Sequence, residues 1–165
     1  VAGKALFVQG DMYEADISHA TVLALFLLPE NLDRLVPKFL ELKPGTRMVL
    51  NTFGMRDWKA DRIEHAGDGC GAWCDALLYI VPAKVAGRWR LGDGELVLEH
   101  AYQRHAGPIQ PGGATRLHTN PTLQGGRVRF TLDGVEYSGI VNGATMQGTR
   151  SGSTSASWQA TRIEG

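Results

Sequence analysis

The sequence predicts an α/β fold: the second half of a doubly wound, Rossmann-like sheet, followed by an antiparallel β extension. Three observations predict it. Apolar runs at residues 5–9, 20–28 and 48–53 are short and each stops at a turn signal, as buried parallel strands do. An amphipathic stretch, residues 30–42, lies between the last two. After Gly87 the texture changes to alternating apolar and polar residues broken by turn pairs, the pattern of antiparallel strands with one wet face. The expected division is therefore 1–87 for the α/β part and 88–165 for the extension.

Ala5 to Gln9 is short, apolar and bounded by Gly10-Asp11, so it reads as a buried strand. Met12 to Ser18 reads as a connecting loop or a single helical turn. Ala20 to Leu28 is apolar apart from Thr21, the signature of a central parallel strand covered on both faces. Pro29 ends it. Within 30–42, Leu32, Leu35, Val36, Phe39 and Leu40 share one helical face, and Pro37 predicts a kink or two short helices. Lys43-Pro44-Gly45 stops the helix and Met48 to Phe53 is the next strand. Residues 5–9, 20–28 and 48–53 are thus expected as adjacent parallel strands, with the helix crossing between the last two.

Gly54 to Gly71 is polar and glycine-bearing, so it reads as a loop. Ala76 to Val81 is a strand ended by Pro82. In the extension, Arg88–Leu91, Glu95–Arg104, Arg127–Leu132, Val135–Val141 and Ser157–Arg162 alternate. Asp93-Gly94 and Asp133-Gly134 read as hairpin turn pairs, so Arg127 to Val141 is one long hairpin. Gly107–Gly126 and Gly148–Ser157 are rich in Gly, Pro, Ser and Thr and read as loops, the second as a mobile hairpin tip.

Composition narrows the function classes. The chain has 165 residues, enough for one domain, or a partial domain with an extension, to bury a core. Its 17 basic and 17 acidic residues give a formal net charge of zero, which argues against a nucleic-acid partner. No apolar run approaches the roughly 18 residues of a membrane helix, so no membrane span is expected and the cytoplasm is the expected location. Cys70 and Cys74 are too few for a disulfide framework. Their Cys-x-x-x-Cys spacing has His65 upstream, but His19, His100, His105 and His118 supply no second ligand pair for zinc. No metal site is expected; the cysteines read as structural or incidental, with local redox pairing as the lesser alternative. Gly-x-Ser-x-Gly, Gly-x-Gly-x-x-Gly and phosphate-loop motifs do not occur.

Residues 5–53 resemble the distal half of a class I S-adenosylmethionine-dependent methyltransferase. The matching pieces are the strand ending in Gly10-Asp11-Met12, the segment from Asp16 to Val22, and the strand ending in Leu27-Leu28-Pro29. The helix, Leu42-Lys43-Pro44-Gly45-Thr46-Arg47 and the strand Met48–Phe53 complete the series. Asp57-Trp58 and Val81–Trp89 are similar to the continuation in small bacterial enzymes of this type, which often carry a β-rich tail. The resemblance implies methyl transfer by in-line displacement, with S-adenosylmethionine as cofactor. Asp11 would accept a hydrogen bond from the adenine amine, Met12 would pack near the ring, and Leu27 would meet the cofactor. Leu28, Pro29 and Glu30 would meet the methyl acceptor, a small molecule or a protein.

Each of these residues also has a plainer reading. Gly-Asp after a strand often only forms a turn. Asp16 reads first as the cap of a short turn. Leu28 is a core residue, Pro29 a strand stop, and Glu30 a first-turn carboxylate favoured by the helix dipole. Trp89 and Trp158 lie on alternating strands and read as core. The family's glycine-rich first loop and the acid after its second strand are missing from this sequence, and it begins at Val1. The chain therefore reads as a truncated enzyme that binds the cofactor poorly by itself. The competing reading is a non-catalytic binding or assembly module on the same half-sheet. A nicotinamide-dependent oxidoreductase half shares the topology but fits the Leu-Lys-Pro-Gly series less well. A half-sheet with a bare edge is also expected to self-associate, as a homo-oligomer or a swapped dimer.

Overall fold

The computed structural model describes residues 3–67, 69–106, 108–111, 116–117, 119–152 and 155–163. The described structure is rich in sheet, with one α-helix. The first sheet has four strands in the order β1-β2-β4-β3: β1 Val22–Leu25, β2 Arg47–Asn51, β3 Arg62–His65 and β4 Asp75–Ile80. Strands β1 and β2 are parallel, with Leu23 opposite Met48 and Leu25 opposite Leu50. Helix α1, Pro29–Leu40, crosses between them, so the expected strand–helix–strand unit is present. Strands β2–β4 and β4–β3 pair antiparallel, which makes the sheet mixed.

The helix buries Leu32, Leu35 and Phe39, the stripe that its periodicity marks. They pack on Met48, Leu50, Leu77 and Tyr79 from one sheet face. Pro37 lies inside α1 without dividing it. On the other face, Val22 and Val49 remain 48% and 39% exposed.

Four expectations need correction. Residues 5–9 form no strand, and Leu6, Phe7 and Val8 lie exposed. A strand needs a partner for its backbone groups, and none of the described strands pairs with this segment. Residues 20–28 supply only the four-residue β1, and β1 is an edge strand rather than a central one. The stretch 54–71 is not all loop, because Arg62–His65 adds an edge strand to β4. The segments 107–126 and 148–157, read as loops, hold parts of five strands. Gly107, residues 112–115, His118 and residues 153–154 lie outside the described residues.

The second sheet contains β5 Gly87–Leu91, β6 Gly94–Ala101, β7 Arg104–Ala106, β8 Pro108–Pro111, β9 Arg116–Leu117, β10 Thr119–Gln124, β11 Arg127–Leu132, β12 Val135–Asn142, β13 Thr145–Ser151 and β14 Ala156–Ile163. Its order is β10-β11-β12-β13-β14-β5-β6-β8-β9, with β7 on β6. Strand β10 also lies alongside β7, so the sheet curls around its own core. The expected 127–141 hairpin is β11–β12, turning at Asp133-Gly134, both with positive φ, as a type I′ turn needs. The β5–β6 turn falls one residue earlier than expected, on Gly92-Asp93, because Leu91 pairs with Gly94 and Gly92 takes φ 59°.

Inward-facing Trp89, Leu96, Leu123, Phe130, Met146 and Trp158 fill the curl, so both β-strand tryptophans are core, as expected. Gly139 and Gly148 face each other across β12 and β13. A Cβ on Gly139 would fall 2.7 Å from the Trp158 ring, and one on Gly148 would fall 1.9 Å from the Ser138 carbonyl oxygen. Gly139 makes room for the indole and Gly148 for the β12 backbone beside it; the indole Nε1 donates to the Ser138 and Thr149 carbonyls.

The β6–β7 turn ties the two sheets together. Tyr102 stacks on buried Trp58, ring centroids 5.5 Å apart. Gln103 donates to the Lys59 carbonyl and to Asp61. His100 is bonded to the Tyr102 carbonyl. Burial lowers the His100 pKa below its ordinary 6.5, against a smaller opposing effect of that bond. The unfolded chain therefore binds more protons just below the ordinary value, and the stability present above it is lost as pH falls. The melting temperature is expected to fall between about pH 7.5 and about pH 5.5, and to fall less in His100→Gln. Thermal melts of both proteins at the two pH values check this; equal slopes would remove His100 from the account.

Candidate functional site

In open sheets with parallel strands, ligands bind beyond the carboxyl ends of those strands. Here that edge carries Phe26 to Pro29 after β1 and Thr52 to Met55 after β2. Strand β4 runs the other way, so its start at Asp75 lies at the same edge, as does the end of β3 at His65.

Thr52 is the most constrained residue there. Its φ is +62°, and the Phe53 N–H donates across it to the Asn51 carbonyl at 2.6 Å. That is a γ-turn of the rare, strained hand, and a β-branched residue at positive φ is an outlier. Such strain is on the order of 1–3 kcal/mol and persists only where the surroundings enforce it. The enforcement is visible. The Thr52 N–H donates to the Asp75 carbonyl at 2.8 Å, and its hydroxyl donates to the Ala72 carbonyl at 3.1 Å. The Asn51 amide donates to the Trp73 carbonyl at 2.9 Å and the Asp75 carbonyl at 3.2 Å. The next turn is close-packed too: a Cβ on Gly54 would lie 2.6 Å from the Tyr79 hydroxyl.

The turn throws Phe53 out beside Phe26 and Trp73. Phe26 stacks on Phe53 with centroids 6.4 Å apart, and Trp73 meets both edge-on at 5.4 and 6.0 Å. Phe26 and Trp73 are more than half exposed, so this is an aromatic platform open to solvent. Beside it, His65 Nδ1 donates to Asp75 Oδ1 at 2.7 Å. The carboxylate can only accept, so it fixes the neutral ring with Nε2 as the free acceptor.

Asp11 and Met12 sit on the loop before β1. Asp11 Oδ1 accepts from the Tyr13 N–H at 2.8 Å, and the Asp11 carbonyl accepts from Glu14 and Ala15. Asp11 thus closes a turn, its plainer reading, yet the carboxylate stays exposed with accepting capacity to spare. Tyr13 docks this loop on α1. Its hydroxyl donates to Asn31 at 2.8 Å, its carbonyl accepts from Lys38 at 2.7 Å, and Arg34 lies 4.1 Å above its ring. The Asp11 loop is thereby held near the start of α1, where Leu28, Pro29 and Glu30 lie. Leu28 is the N-cap residue and 56% exposed, Pro29 opens the helix, and Glu30 is its first-turn acid. Leu27 is half-buried against the core beneath. Asp16 caps Ser18, and that bond lowers its pKa.

Sequence reasoning missed Phe26, Thr52, Phe53 and the His65–Asp75 pair. Phe26 and Phe53 were visible only as ends of apolar runs. Cys70 and Cys74 form a disulfide around the 3-10 turn Gly71–Trp73, which makes the local redox pairing the observed state. Among the described residues no three His, Cys, Asp or Glu side chains are grouped to hold a metal ion. No described helix is long and apolar enough to cross a membrane.

No family model matches the chain. A protein-lysine N-methyltransferase of Saccharolobus islandicus (strain REY15A) is 44% identical over 70 residues, covering 42% of this chain and 44% of that protein. An RNA methyltransferase from Salinibacter ruber, solved in complex with S-adenosyl-L-homocysteine, is 41% identical over 48% of this chain and 49% of its own, with a TM-score of 0.41. This chain therefore spans under half the length of the first protein and about half of the second. The resemblance to class I S-adenosylmethionine-dependent methyltransferases is borne out as a likeness in sequence.

Proposed function

We propose that this chain supplies the acceptor side of an S-adenosylmethionine-dependent methyltransferase and acts as part of a longer, cytoplasmic protein. The observation that carries this is the 44% identity over 70 residues to a protein-lysine N-methyltransferase. The parallel β1–α1–β2 crossover, read as the distal half of a doubly wound sheet, supports it. On this reading residues 1–87 form the distal half of the methyltransferase domain and 88–165 its β extension. S-adenosylmethionine, when bound, supplies the methyl group.

The chain's own residues fit one part of that cofactor. Asp11 offers an exposed carboxylate to an adenine amine, and Met12 and Leu27 offer apolar contacts. No glycine-rich loop is present for the methionyl carboxylate. Leu28, Pro29 and Glu30 face the acceptor, a small molecule or a protein side chain. The apolar edge at Phe26–Pro29 and Phe53 is open to solvent and would lose its water only beneath a bound acceptor, as such a displacement favours.

In the longer protein, Asp11→Ala is expected to weaken S-adenosylmethionine binding by on the order of 1 kcal/mol, the loss of one hydrogen bond. Calorimetry on the longer protein and its variant checks it. Unchanged affinity would remove Asp11 from the site, and a longer protein that binds no S-adenosylmethionine would overturn the function.

A second reading, a non-catalytic assembly module, is favoured by one observation. Val22 and Val49 stand partly exposed on one sheet face, and exposed apolar faces mark contact with other chains. It includes the homo-oligomer or swapped dimer, which light scattering distinguishes from a monomer.

A further inference from the structure

We propose that Cys70 and Cys74 form a reversible redox latch that holds Trp73 on the aromatic platform, so that a dithiol reductant releases it. Four observations bear on this. The disulfide encloses only Gly71, Ala72 and Trp73. That turn is tied to the end of β2 through the Ala72 and Trp73 carbonyls, which accept from Thr52 and Asn51. Its indole makes edge contacts with both Phe26 and Phe53. Finally, the bonds to this turn and to Asp75 are the ones that hold Thr52 in its strained γ-turn.

The latch is bistable for a physical reason. With the disulfide closed, the turn presents its carbonyls to Asn51 and Thr52, and the strain at Thr52 is offset. With it open, the three-residue turn has little of its own to keep it folded. It is a 3-10 turn with no side-chain cap and no buried residue inside it, and turns this short are marginal. Strain at Thr52 then favours release, since relaxing its φ breaks the bonds that hold the turn. Cys74 is buried and Cys70 is the more open of the two, so attack on Cys70 sulfur is the accessible route.

The chemistry balances. A dithiol's thiolate attacks Cys70 sulfur, the Cys70–Cys74 bond breaks, and Cys74 leaves as a thiolate that takes up a proton. The second thiol of the reductant displaces Cys70, which is also protonated. The protein gains two electrons and two protons, and the dithiol becomes a disulfide. In a reducing compartment, disulfides that do form are mostly of this transient or sensing kind. That the released platform changes access for a methyl acceptor rests on the function proposed above; the latch itself does not.

The test needs no enzyme activity. Trp58, Trp89 and Trp158 are buried while Trp73 is 51% exposed, so acrylamide quenching reports mainly on Trp73. The full chain is compared oxidised and after dithiothreitol, with thiols counted by iodoacetamide mass shift in denaturant. The expected result is no labelling before reduction and two labels after it. Quenching should rise on reduction, and Cys70→Ser/Cys74→Ser should match the reduced protein with an unchanged far-ultraviolet circular dichroism spectrum. Trp73→Phe should keep the disulfide and lose the redox-linked change in quenching. Two free thiols in the air-oxidised protein would overturn the latch. So would quenching that ignores redox state, or a redox response that survives in Trp73→Phe. Failure of the longer protein to transfer methyl groups would overturn only the proposed function.

Discussion

Replacing Trp89 with alanine is expected to destabilise the chain by about 3–5 kcal/mol, the range for removing a large aromatic from a core. Trp89 is fully buried at the start of the curled sheet, in one cluster with Leu96, Phe130, Met146 and Trp158. Its loss opens a void that rigid strands on all sides cannot close. The Nε1–H also donates to the Val85 carbonyl at 2.8 Å, and Val85 is itself buried, so alanine leaves a buried acceptor unpaired. The indole further supports the Arg162 guanidinium, 4.3 Å above the ring. That arginine donates to the Lys84 and Ala86 carbonyls, pinning the last strand to the segment that enters β5. Domains hold together by about 5–15 kcal/mol, so this single change removes a large share. Urea titration of the wild type, Trp89→Ala and Trp89→Phe measures it. Trp89→Phe should fall between the others. A Trp89→Ala cost under about 1 kcal/mol would show that the curl is not the stable unit its packing implies.

Much of this fold was legible because local signals and tertiary packing agree. The α1 stripe of Leu32, Leu35 and Phe39 buries as its spacing predicts. Asp133-Gly134 turns its hairpin because only small or αL-tolerant residues suit both positions. Trp89 and Trp158 alternate inward on their strands. The failures come where a local pattern lacks a partner. Residues 5–9 read as a strand, but a strand exists through pairing, which one segment's composition does not encode. The stretch 148–157 reads as loop because glycine disfavours strands. There Gly148 is a packing device, since its missing Cβ lets the β12 backbone at Ser138 and Gly139 approach closely.

The candidate site was legible only in part, for a related reason. Leu28, Pro29 and Glu30 sit at a helix start that sequence marks well, and Asp11 closes a turn in the loop before β1. The platform of Phe26, Phe53 and Trp73 joins residues far apart in the chain. Trp73 reaches the platform through a disulfide-closed turn, and Phe53 through strain at Thr52. Neither a positive φ on threonine nor a cysteine pairing is written in residue type, so no periodicity finds them.

The largest functional effect is expected on cofactor binding, and it divides this chain from a longer protein that adds a glycine-rich strand, loop and helix. Saturating S-adenosylmethionine at about 100 times its dissociation constant is expected to stabilise the longer protein by about 2.7 kcal/mol, and by about 4.1 at 1,000 times. Residues 1–165 by themselves are expected to show no shift. The asymmetry follows from where the cofactor's charges would go. On the function proposed above, Asp11 and the apolar end of β1 would meet an adenine ring and its amine. The methionyl carboxylate needs backbone N–H groups at a glycine-rich turn opening a helix, and this sequence offers none. A ligand held at one end only gains too little to offset its lost freedom. Thermal shift on both proteins across a cofactor titration checks this, with methyl transfer from labelled cofactor measured beside it. A shift in the 165-residue chain equal to that of the longer protein would mean that the half-site is complete as it stands. The assignment of Asp11, Met12 and Leu27 to only one end of the cofactor would then fail.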